Sequence, residues 1–129
     1  MELNQVNLAR MIIELQDLMR LNDVDIEGEI VSKDHMLVKY GEDSMVHGYY
    51  EIARSINKAF IFINEDCEEW EQTVIHEMVH VVCDQFLAYI ERKKQLDSFG
   101  DTVFEQMIER LSVGFLNAWI DNECLLDDD

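Results

Sequence analysis

His76, Glu77 and His80 stand in the order His-Glu-x-x-His, a spacing that suits a bound metal ion. On a helix, residues four apart share a face with Cβ atoms roughly 5–6 Å apart, so both imidazoles can reach one ion. Glu77 is turned about 100° from His76, which suits a carboxylate that handles the attacking water instead of the metal. The flanking Val74, Ile75, Val79, Val81 and Val82 make the segment apolar enough for a buried helix. The bland alternative is a pair of core histidines satisfied by hydrogen bonds. The motif's internal carboxylate favours the metal.

A hydrolytic zinc site takes three protein ligands and keeps a fourth position open. His76 and His80 supply two, so the third lies beyond the motif. In the extended metzincin pattern the glycine position here is Cys83 and the last ligand position is Phe86, which excludes that class. A glutamate on the next helix remains, and Glu105 and Glu109 are one turn apart. Thr102-x-x-Glu105 reads as a capping box, which gives Glu105 a structural task. Glu109 is flanked on its face by Val113, Leu116 and Ile120, so a partly buried carboxylate there needs a partner. Glu109 is therefore placed ahead of Glu105, which stays as the alternative. Cys83 reads as a small buried hydrophobe, and Asp84 either orients a ligand histidine or faces solvent.

The elements that must hold these residues follow from periodicity. Residues 6–21 carry Leu8, Met11, Ile12, Leu15, Leu18 and Met19 at amphipathic helical spacing, closed by Asn22-Asp23. Residues 24–31 predict a strand with a bulge at Gly28, and residues 36–40 a second short strand. Residues 47–54 predict a third, followed by a hairpin connection at 55–58. The apolar run 59–64 reads as the most buried strand. Asp66 with Glu69 resembles a capping box for a long helix over 67–94, with Arg92, Lys93 and Lys94 on its last turn. Asp97-Ser-Phe-Gly100 breaks the chain. A last helix over 102–120 places Phe104, Ile108, Leu111, Phe115 and Trp119 on one stripe. Residues 125–129 read as a disordered acidic tail. The expected fold is α+β, a small antiparallel or mixed sheet packed on the long motif helix, with helices at both ends.

The 129 residues suffice for one domain with a real core, and neither proline nor a low-complexity linker divides them. The net charge of −18 excludes the cationic surface that nucleic acid or an anionic membrane requires. It suits a solvated acidic surface, or a basic partner. Cys67, Cys83 and Cys124 form no paired spacing, the N-terminus lacks a signal-peptide pattern, and no apolar run reaches membrane-spanning length. A reducing cytoplasm is expected.

From Gly48 to Asn122 the order of motifs resembles the minimal zincin metallopeptidases of the ImmA/IrrE type, particularly short phage-borne members. The matching pieces are Gly48-Tyr-Tyr, Ile61-Phe-Ile-Asn64, His76-Glu-Met-Val-His80, Glu109-Arg-Leu-Ser-Val-Gly-Phe115 and Asp121-Asn122. The usual glycine after the motif glutamate is Met78 here, no DNA-binding domain is attached, and the first forty residues match nothing in the family. The resemblance implies a zincin-like domain with one zinc ion per chain held by His76, His80 and Glu109. It also implies cleavage of a protein or peptide substrate, regulatory proteins among them. Glu77 is then the catalytic base; Tyr49, Tyr50, His35 and His47 are candidates for an oxyanion donor by residue type alone, and a structural role is the favoured reading of each. The rival readings are a non-catalytic acidic interaction protein that retains the fold, and an acidic DNA mimic in which the motif is coincidental.

Overall fold

A computed structural model describes residues 1–41, 46–93 and 98–127, with side chains described outside 85–101 and 122–127. The elements run α1 (Gln5–Met19), β1 (Asp25–Val31), α2 (Lys33–Tyr40), β2 (Gly48–Ala53), β3 (Lys58–Asn64), α3 (Trp70–Lys93) and α4 (Ser98–Asp127). The three strands form a mixed sheet in the order β1-β3-β2, with β1 parallel and β2 antiparallel to β3. The fold is α+β. Among the described residues no helix is long and apolar enough to cross a membrane.

Helix α1 starts where Asn4 caps it, its side chain accepting from the Asn7 amide at 2.8 Å. Leu8, Met11, Ile12 and Leu15 recur at three- and four-residue spacing and are fully buried against the sheet. Across β1 they meet Gly28, where a Cβ would stand 2.5 Å from Ile12 Cδ1 and 2.8 Å from Leu8 Cγ. The glycine serves this close approach. The expected bulge is absent, because β1 pairs residue for residue with β3 from Asp25 to Val31.

Strand β3 alternates, with Ala59, Ile61 and Ile63 fully buried toward α1 and α3 and Phe60 and Phe62 half-buried on the other face. Its core face packs with Trp70, Val74, Ile75, Met78 and Val79 of α3. The opposite face carries a small second core of Val31, Met36 and Tyr49. The hairpin to β3 passes through a 3-10 turn, Arg54–Ile56, and Asn57 at φ 52°, a left-handed conformation that asparagine tolerates.

Several expectations give way. Residues 36–40 are helical: Ser32 caps α2 by accepting from the His35 amide, Met36 alone is buried, and Val38 is 89% exposed. Neither capping box is used. Asp66 lies in a turn closed by the Asn64 side chain, and α3 begins at Trp70, with the Glu69 carbonyl accepting from Thr73. Helix α4 begins at Ser98, so Ser98–Gly100 are helical, Thr102 lies inside the helix, and Glu105 is free of a capping role. Residues 94–97 lie outside the described residues. On α4 the buried stripe uses Ser112 in place of Leu111, which is 41% exposed; the Ser112 hydroxyl donates to the Ile108 carbonyl at 2.7 Å. The expected tail is helical through Asp127, and 128 and 129 lie outside the described residues.

At Gly48 a Cβ would stand 2.7 Å from the Phe62 carbonyl oxygen and 2.8 Å from Thr73 Cγ2. Backbone sits on one side and α3 on the other, so Gly48→Ala has little room to relax. We expect it to cost about 1–3 kcal/mol in urea unfolding. An unchanged midpoint would show that β2 and α3 do not meet this closely.

Candidate metal centre

The burial of Val74, Ile75, Met78 and Val79 turns the opposite side of α3 toward α4. His76 and His80 lie on that side, their ring centroids 5.0 Å apart. Helix α4 presents two glutamates in matching order. His76 Nδ1 is 2.7 Å from Glu109 Oε1, and His80 Nε2 is 3.7 Å from Glu105 Oε1. One ligand atom each from His76, His80 and Glu105 lies within 4.8 Å of the others. A tetrahedral zinc ion with bonds of roughly 2.0–2.1 Å would draw such atoms to about 3.4 Å, within reach of small side-chain rotations. Two imidazoles and a carboxylate are a donor set zinc accepts.

The two glutamates differ from their sequence reading. Glu109 has a side chain 65% exposed instead of partly buried, since Val113 and Ile120 beside it are exposed too. Its contact is with one histidine. Glu105 is the carboxylate grouped with both. Histidine ligands commonly give their second ring nitrogen to a carboxylate that orients them, and Glu109 stands at that position for His76.

Glu77 is buried at 8% exposure, lines the cleft beside His76, and makes no hydrogen bond or ion pair with a described residue. Burial, and then the charges of Glu105 and Glu109, push its pKa up to about 7. Burial first, and then His76, push His80 down to about 4 against the pull of Glu109. His80 is therefore a neutral imidazole near pH 7, the form that binds metal.

Behind the histidines lies a layer the sequence did not signal. Tyr50 stacks on His80 with centroids 4.9 Å apart and planes 17° from parallel. Asp84 neither faces solvent nor reaches a histidine. It is buried and receives two 2.8 Å hydrogen bonds from Arg54 on the 3-10 turn. Burial, followed by Asp84, Glu77 and Glu105, raises the Tyr50 phenol pKa against the pull of Arg54, so the phenol keeps its proton. Cys83 is buried in the core, and its thiol pKa is raised by burial. Of the four donors proposed by type, His47 lines the cleft and Tyr50 adjoins His80. His35 and Tyr49 bond each other at 2.7 Å by the second core, away from the site.

Compared with protein-family models, with curated proteins and with solved structures, the chain finds no match in any of the three.

The two pKa shifts act in opposite senses. Glu77, raised from 4.5, contributes stability that is complete below pH 4.5 and lost as pH rises through 7, a change of about 3 kcal/mol. His80, lowered from 6.5, contributes stability present above 6.5 and lost as pH falls through 4. Glu77→Gln removes only the first. In the metal-free protein we expect the variant to gain about 3 kcal/mol on wild type between pH 4.5 and pH 8, measured by urea unfolding. A pH-independent difference would contradict the burial of Glu77.

Proposed function

We propose that the chain is a zinc-dependent peptidase with a zincin-like arrangement, in which the sheet backs a helix whose two histidines hold the metal. The observation that carries this reading is the grouping of His76, His80 and Glu105 beside the buried carboxylate of Glu77. His76 and His80 bind one zinc ion, and Glu105 or Glu109 completes the set. Geometry favours Glu105, and the resemblance favours Glu109. Bound zinc supplies the Lewis acidity that polarises a scissile carbonyl and lets water ionise near neutral pH.

The remaining chemistry belongs to the chain. Glu77 accepts the proton of the attacking water on its carboxylate and passes it to the departing amine nitrogen. A group poised near pH 7 gains and loses that proton at little cost. Tyr50 keeps its phenolic proton and is a donor candidate for the developing oxyanion. Strand β2 ends the sheet, so an extended substrate can add to its outer edge along the cleft. The substrate is a protein or peptide; the net charge of −18 disfavours nucleic acid and anionic membrane alike. Free, buried Cys67 and Cys83 suit a cytoplasmic setting.

Zinc content by plasma mass spectrometry tests the centre directly. One zinc per chain is expected after reconstitution, lost in His80→Ala and kept in Glu77→Gln. Of Glu105→Ala and Glu109→Ala, the variant that loses more zinc identifies the third ligand. On fluorescein-labelled casein, Glu77→Gln should lower hydrolysis by about a thousandfold. No zinc in the reconstituted protein, or full activity in Glu77→Gln, would refute the proposal.

A further inference from the structure

The cleft beside the histidines encloses about 620 Å³, room for several residues of an extended chain. Its wall carries five carboxylates. Asp66, Glu68 and Glu69 stand at the end near the start of α3, and Glu77 and Glu109 stand at the histidine end. Among the described residues no lysine or arginine lines it. Apolar contact comes from Val46, Val113 and Leu116.

The positive end of the α3 dipole accounts for some acid there, but Glu77 and Glu109 lie outside its reach. A second observation concerns the floor. Glu77 is more than nine-tenths buried, faces the cleft, and has no hydrogen-bonding or ionic partner among the described residues. A buried carboxylate without a partner is costly unless an occupant supplies a donor or a cation. Both observations point to the same kind of occupant. The walls match its shape as well: a lysine or arginine has an aliphatic stem to lie on the apolar residues and a cationic head for the acidic end.

We propose that this cleft binds the lysine- or arginine-bearing segment of a polypeptide, making basic sequences the substrate class of the peptidase proposed above. That class rests on the peptidase reading. The binding preference can be measured without it.

The probes are fluorescein-labelled decapeptides of alanine, serine and leucine that carry two lysines, two citrullines or two glutamates. Citrulline carries a polar side chain slightly longer than that of lysine and no charge. Binding is followed by fluorescence anisotropy at low salt on metal-free, full-length wild-type protein, which keeps the Glu77 carboxylate. The lysine peptide should bind at least tenfold tighter than the citrulline peptide, and the glutamate peptide weakest of all. Adding Glu68→Gln and Glu69→Gln, both at exposed positions, should cut the preference below threefold. Adding Glu2→Gln and Asp17→Asn on and before α1 changes the net charge equally and should leave the preference intact. Lysine and citrulline peptides binding within twofold of each other would overturn the inference. So would equal losses from the two charge-matched pairs, since the preference would then belong to the whole acidic surface. Hydrolysis of the same peptides by zinc-loaded wild type separates the two ideas. Cleavage without a lysine preference removes this inference and keeps the peptidase. A lysine preference without cleavage keeps the basic-segment site and removes the peptidase.

Discussion

Everything at the candidate centre depends on how α3 is buried. Val74, Ile75, Met78 and Val79 take one side of the helix into the core, where they meet Ala59, Ile61 and Ile63 of β3. Close packing on that side leaves the helix no rotational freedom. His76, Glu77 and His80 must then lie between the sheet and α4. Polar groups in the middle of a half-buried helix would ordinarily weaken it. Here the helix's apolar partners hold them in place, and the surrounding residues answer only part of their need. Tyr50 covers one face of His80, Glu109 meets His76, and Glu77 has no hydrogen-bonding or ion-pair partner among the described residues.

That arrangement sets the electrostatics. Burial acts on a carboxylate and an imidazole in opposite directions, favouring the protonated acid and the unprotonated base. Glu77 and His80 are adjacent on α3 and show both responses at once. The outcome near pH 7 is a neutral imidazole, ready to give a lone pair to a metal, beside a carboxylate poised to exchange a proton. The acidic neighbours add to the effect: Glu105 and Glu109 push Glu77 further in the direction that burial already drives it.

Much of this was legible in the sequence because it rests on periodicity. Helix α1 and strand β2 show their period in the apolar residues, while the central strand and the motif helix show as apolar segments between polar ends. The errors have physical causes. Residues 36–40 look like a strand because Met-Leu-Val-Lys-Tyr is short and largely apolar, yet the Ser32 cap and Gly41 at φ 89° bound the segment as one helix. Both capping boxes misled. With 28 acidic residues in 129, a Thr or Asp three residues before a Glu arises readily without any capping role. That false box placed the start of α4 at Thr102, four residues late, and so assigned Glu105 to a cap it does not serve. The Arg54–Asp84 pair was invisible because its partners lie thirty residues apart on unrelated elements.

The choice between Glu105 and Glu109 follows from the register of α4, and something other than the metal sets that register. The two helices align so that His76 meets Glu109 and His80 meets Glu105, as antiparallel neighbours do. A slip of one turn, about 5.4 Å, would leave only one histidine facing a glutamate, either His80 with Glu109 or His76 with Glu105. Ile108 and Trp119 prevent it, since both are buried in the core, and the Trp119 indole N–H donates to Glu14 of α1 at 3.1 Å. These anchors lie at and beyond the glutamates along α4 and need no ion to form. The carboxylates are therefore delivered to the histidines by apolar packing, so a metal ion bound there would not bear the cost of assembling the site.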